Sequence, residues 1–151
     1  MAKQWPEMKT PFVGCGVVIQ DQQKENVVII ERKYPPHGFA FPAGMMDIGE
    51  SAETCAIREI KEETNLNVRL CGVLTVISEP IYDPRWHAVS IYMLGEDTGE
   101  SKLTAGDDAL KAFWVSWVQC EVERDMTAAT KLVMADYRTF RRDGSVLGSI
   151  R

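Results

Sequence analysis

The sequence predicts one mixed-sheet sandwich of the α/β (α+β) class, on three observations. Five short runs rich in β-branched and aromatic residues recur along the chain. Two segments carry helical periodicity, one after the second run and one after the last. Turn-rich segments of hairpin length join them, without repeat, low-complexity stretch or linker, so residues 1–151 read as a single domain of ordinary size.

FVGCGVVIQ (12–20) and NVVIIERK (26–33), separated by polar DQQKE, predict an early antiparallel hairpin. YPPHGFAFPAG (34–44) is rich in Pro and Gly and reads as loop or irregular edge. The spacing then predicts a helix over 51–64, capped by Ser51 and stopped at Asn65, a residue that tolerates the left-handed conformation. Strands follow at VRLCGVLTVIS (68–78), HAVSIYML (87–94) and AFWVSWV (112–118). In the second of these, Val89, Ile91 and Met93 alternate with Ala88, Ser90 and Tyr92, as a sheet with two unlike faces requires. Helix returns over about 127–141, where Val133, Tyr137 and Phe140 form an apolar stripe.

Composition excludes several classes of function. With 45% hydrophobic and 26% charged residues and no apolar run near membrane-spanning length, the chain reads as neither membrane-embedded nor disordered. The opening MAKQWPEMKT is polar and lacks a secretory core. Cys15, Cys55, Cys71 and Cys120 lie far apart and read as reduced thiols, so a cytoplasmic location is expected. A net charge of -5, with no basic cluster longer than Arg141-Arg142, argues against nucleic-acid binding.

The first helix breaks local rules. Six carboxylates lie between Asp47 and Glu63, and three of them, Glu59, Glu62 and Glu63, fall within one five-residue span. At about 100° per residue, Glu62 and Glu63 sit roughly 60° and 40° to either side of Glu59, which predicts a single acidic patch. Ala56, Ile57 and Ile60 supply an adjacent apolar stripe for packing. Like charges in the last turn oppose one another and face the negative end of the helix dipole, each at about 0.3–1 kcal/mol. Hard divalent cations with oxygen ligands are the expected remedy, Mg²⁺ first and Mn²⁺ as substitute. The plain alternative is a solvated acidic face offset by Arg58 and Lys61.

The surrounding spacing resembles the Nudix box, G-x5-E-x7-R-E-U-x-E-E-x-G-U with U aliphatic. Gly44, Glu50, Arg58-Glu59, Ile60, Glu62-Glu63 and Leu66 match it, and Asn65 stands where the box has its second glycine. The resemblance implies a Nudix-type α/β/α sandwich with a catalytic loop-helix-loop. It also implies that Glu59, Glu62 and Glu63 ligate metal, with the Gly44 carbonyl as a further ligand, Glu62 and Glu63 being catalytic. Arg58 and Glu50 would form the ion pair that orients the helix. The reaction implied is Mg²⁺-dependent cleavage of a nucleoside diphosphate linked to another moiety.

DPRWH (83–87) and AGDDA (105–109) look like signatures of the ADP-ribose pyrophosphatase branch. They make Asp83, Arg85 and Trp86 candidate substrate-binding residues. Arg85 can clamp a phosphate or only pair with Asp83, and Trp86 can stack on a base or pack beneath its loop. His87 reads as a hydrogen-bonded structural residue. The stretch GEDTGESKLTAGDDA (95–109) offers a general base, with Glu96 and Asp108 as candidates, and as a loop could close over the cleft. Tyr34, Phe39 and Phe41 are candidates for the wall of a base pocket, with core packing the equal alternative for Phe41. The expected partner is a small nucleoside diphosphate derivative, ADP-ribose or a similar ADP-sugar. Cleavage of oxidised nucleoside triphosphates and non-catalytic sensing of a nucleotide derivative are the alternatives. Trp5 and the N-terminal segment are candidates for homodimer exchange.

Overall fold

The computed structural model describes residues 9–122 and 125–146. Seven strands and three helices run in the order β1 Phe12–Gln20, β2 Asn26–Arg32, β3 Phe39–Ala40, β4 Ala43–Met45, α1 Ala52–Thr64, β5 Val68–Ile77, β6 Ala88–Asp97, β7 Ala109–Ser116, α2 Trp117–Val122 and α3 Ala128–Asp143. All seven strands belong to one mixed sheet, ordered β3-β2-β1-β6-β5, with β4 on β1 and β7 on β2.

The predicted hairpin forms, but its strands mostly find other partners. β1 lies parallel to β6 along its full length, while β2 lies antiparallel to β7. Between β1 and β2 themselves the register is Gln20 opposite Val27, at the turn end. The two strands therefore diverge away from their turn, and β4 fills the gap by pairing Ala43–Met45 with Gly14–Gly16 of β1. The Pro/Gly segment thus holds two short strands, β3 and β4, that residue propensities hide.

Both faces of the central strands are covered, so β1 and β2 read as continuous apolar runs. Cys15, Val17 and Ile19 of β1 pack with Val28 and Met93 against Cys55, Ala56 and Ile60 of α1. Val18, Val27, Ile29 and Val115 turn to the other face and pack with Val133, Met134 and Tyr137 of α3. This is the predicted α/β/α sandwich. Ile57 is a correction: it is about half exposed, and the buried face of α1 is Cys55, Ala56, Ile60, Glu63 and Thr64.

Three boundaries differ from expectation for local reasons. β6 runs on to Asp97 because Gly95–Asp97 pair with Val68–Leu70 of β5. The run 112–118 begins earlier, at Ala109, and ends at Ser116, whose hydroxyl accepts from the Gln119 amide at 3.2 Å and so turns the chain into α2. α3 starts after Thr127, which caps the Thr130 amide, and stops at Gly144 in the left-handed conformation. Trp5 lies outside the described residues. Among those described, no helix is long and apolar enough to cross a membrane.

Candidate active site

α1 is built to deliver side chains accurately. The Ser51 hydroxyl accepts from the Thr54 amide at 3.1 Å at its start. At its end Asn65 adopts φ 62°, ψ 4°, with its amide donating to the Lys61 carbonyl. Asparagine thus serves where the Nudix box has glycine, by taking the same left-handed stop.

Arg58 ties the helix to the loop before it. Its guanidinium grips Glu50 through Nε and Nη2, at 2.5 and 2.8 Å, and donates to the Met45 carbonyl at 3.0 Å. A fourth bond, from Nη1, reaches Glu59 Oε1 at 2.8 Å. Paired in this way, Glu50 is held at about 2, below the usual carboxylate range, chiefly by its hydrogen bond from Arg58. The predicted ion pair is present as geometry.

Glu59 lies directly against the backbone of β4: a methyl group on Gly44 would fall 2.0 Å from the Glu59 carboxyl carbon. Glu63 is 9% exposed and accepts from the Ala43 amide at 3.1 Å. Burial, then the charge of Glu59, push Glu63 up to about 8, and burial raises Glu59 as well. Asp108 adds to the repulsion on both. Glu62 does not join them. It turns outward, with its carboxylate 58% exposed and 3.3 Å from Arg58 Nη1. Hence the three-carboxylate patch expected from helical angles is a pair here, and among the described residues no three His, Cys, Asp or Glu side chains are gathered to hold a metal ion.

Glu59, Glu63, Gly44 and Asp108 line a cavity of about 390 Å³, and Asp83, Arg85 and Trp86 lie in the same lining. Arg85 donates to Asp83 through Nε at 3.0 Å and Nη2 at 2.9 Å, which leaves Nη1 free of that fork. Burial disfavours ionised Asp83, but the bonds from Arg85 outweigh it and hold the carboxyl low. The Arg85 guanidinium lies 4.4 Å from the Trp86 ring centroid, and Phe12 packs on the same indole at 5.2 Å. Trp86 therefore packs on both Arg85 and Phe12, while 39% of it stays exposed. Tyr34 lines the cavity, Phe41 touches it from the core cluster in which it is buried, and Phe39 packs edge-on against Phe113. His87 bonds the Ser78 carbonyl at 2.8 Å, the structural role expected of it.

Glu96 is elsewhere. It sits six positions beyond the cavity residue Ser90 along β6, roughly 20 Å away at strand rise, and pairs with Arg69 at 3.2 Å. Conversely, Arg32 was not anticipated. It closes β2, donates to the Pro36 carbonyl at 2.7 Å, and lines the cavity, where burial and the charge of Arg85 pull its pKa down. Its sequence signal is a basic residue where an apolar strand runs into a Pro/Gly loop.

A mixed sheet between helices thus carries one cavity whose lining holds Glu59, Glu63 and Asp108 together with Arg32 and Arg85. The chain belongs to the NUDIX domain family, which it matches over residues 10–137. It is 39% identical over 104 residues to an ADP-ribose pyrophosphatase of Methanocaldococcus jannaschii, covering 68% of this chain and 60% of that protein. It is 32% identical over 103 residues to a putative 8-oxo-dGTP diphosphatase of Bacillus subtilis, covering 68% and 65%. The chain thus spans less than two thirds of the length of either relative. The fold resembles that of a bifunctional NMN adenylyltransferase/ADP ribose pyrophosphatase from Francisella tularensis, solved with AMP and a manganese ion, at TM-score 0.75 and 19% identity over 93% of this chain and 44% of that one.

Proposed function

We propose that this chain is a divalent-metal-dependent pyrophosphohydrolase that cleaves the diphosphate of ADP-ribose or a similar ADP-sugar. The observation that carries the reading is one cavity whose lining holds Glu59, Glu63 and Asp108 together with the Asp83–Arg85–Trp86 group. Arg58 pairs with Glu59 at 2.8 Å, whereas Glu63 has no ion-pair partner among the described residues, and the charge of Arg32 does not offset its burial and the repulsion from Glu59. A hard divalent ion with oxygen ligands, Mg²⁺ or Mn²⁺, fits that donor set. Glu59, Glu63 and the Gly44 carbonyl would hold it, and Glu62 would join by leaving Arg58.

When bound, the ion neutralises charge on the bridging phosphates and lowers the pKa of an attacking water. The remaining work falls to the chain. Arg85, braced by Asp83 and Trp86, presents Nη1 to a phosphate oxygen. Arg32 supplies a second positive charge within the same lining. The Asp108 carboxylate accepts the proton of the attacking water. Tyr34, half exposed at the cavity, gives a base a ring to stack on.

The test is hydrolysis of ADP-ribose, NADH, diadenosine polyphosphates, GDP-mannose and 8-oxo-dGTP with Mg²⁺ or Mn²⁺. The expected outcome is AMP and ribose 5-phosphate from ADP-ribose, lost with chelator. Cleavage confined to triphosphates would favour the second reading, an oxidised-nucleotide diphosphatase, which the likeness to the Bacillus protein supports. Binding of ADP-ribose without turnover would make the chain a sensor.

A further inference from the structure

The connection between β6 and β7 does not hang over the cleft as a lid. It is stitched to the C-terminal turn of α1, where helix carbonyls lack intrahelical partners. The Thr104 amide donates to the Thr64 carbonyl at 2.9 Å and the Gly106 amide to the Glu63 carbonyl at 2.8 Å. Asn65 adds two ties: its Nδ2 donates to the Lys102 carbonyl at 3.0 Å, and its own carbonyl accepts from Ser101 Oγ at 2.7 Å. Leu103 packs into the core cluster of Ile60 and Leu66. Gly106 lets the two backbones touch, for a methyl group there would fall 2.1 Å from the Glu62 carbonyl oxygen and 3.0 Å from Glu63 Cα. Two residues later the chain delivers Asp108 to the cavity lining that also holds Glu59 and Glu63, near enough for its charge to act on both.

We propose that Gly106 and Asn65 are positioning residues: they clasp this connection to α1 and so fix Asp108 in register with Glu59 and Glu63. The side chain at 65 thereby has a second task that the box glycine has no atoms to perform. The inference rests on Asp108 acting in the hydrolysis proposed above.

The experiment is a double-mutant cycle on the full chain with Mn²⁺ and ADP-ribose, together with amide hydrogen exchange. Gly106→Ala is expected to lower kcat by about tenfold or more with KM nearly unchanged, because the Asp108 carboxylate is displaced by about an ångström. In an Asp108→Asn background the same substitution is expected to lower kcat by clearly less, about threefold or below, since the part of the loss that passes through Asp108 is gone and only the push on the Glu62–Glu63 backbone remains. Asn65→Gly keeps the helix stop and removes only the amide tie. It is expected to give a smaller loss of kcat and faster exchange at the Thr104 and Gly106 amides. An equal loss from Gly106→Ala in both backgrounds, or unchanged exchange at those amides in both variants, would overturn the clasp. Should the chain hydrolyse none of the offered nucleotides, the proposed function fails, and the clasp stands or falls on the exchange measurement alone.

Discussion

Gly44 and Glu59 set the tolerance of the site at the scale of single residues. The Glu59 carboxylate occupies the volume where any side chain on Gly44 would be. Gly44→Ala must therefore push Glu59 aside. A displacement of that size is expected to lower turnover on the order of 100-fold, while the circular dichroism spectrum stays that of the parent. Arg58 is equally constrained, because its guanidinium satisfies Glu50, Glu59 and the Met45 carbonyl at once. Lysine keeps the charge and loses the fork. Arg58→Lys is expected to reduce activity by about 10–100-fold, the usual cost of losing a group that orients metal ligands, with loss of Mn²⁺ affinity as the direct readout.

Among elements, α1 was the most legible, because each of its signals is local. The Ser51 cap, the Asn65 stop and the apolar positions all lie within one stretch, and they fixed its ends to within a residue. Its cap gives a clean control. Ser51→Ala is expected to cost about 0.5–2 kcal/mol by denaturant unfolding with kcat little changed, since the ties of Arg58 to the preceding loop survive. What the sequence left hidden depends on partners far along the chain. β4 exists because β1 and β2 diverge and leave an edge to fill, and no propensity within Ala43–Met45 announces that. Glu62 illustrates the same limit: helical angles place it beside Glu59, and Arg58 Nη1 bonds both, yet the Glu62 carboxylate is 58% exposed and outside the cavity lining that takes Glu59 and Glu63. Asp83, Arg85 and Trp86 of DPRWH share the cavity lining, but Trp86 packs its ring on Arg85 and Phe12, a pairing with β1 that only the folded sheet creates.

For the whole molecule, the buried acidic pair couples stability to pH and to metal. The Glu63 carboxyl is raised to about 8 from an ordinary 4.5, first by burial and then by Glu59. In a chelator the folded state thus holds a proton that the unfolded chain releases above about pH 4.5. The stability that this proton represents is complete below that pH and is lost as pH climbs through about 8. Glu59, also raised, adds in the same direction. Glu50 acts oppositely: lowered to about 2, it stabilises above its ordinary pKa and loses that contribution on acidification. With EDTA, the melting temperature is therefore expected to decline steadily from pH 5 to 8.5. Glu63→Gln, neutral at every pH, is expected to flatten that limb and to melt higher than the parent at pH 8. A divalent cation binds the ionised carboxylate and not the protonated one, so Mn²⁺ should raise the parent's melting temperature most at the alkaline end and move the Gln variant far less. Parallel EDTA profiles for parent and variant would mean that Glu63 titrates as an exposed acid, and the buried pair would no longer account for metal affinity.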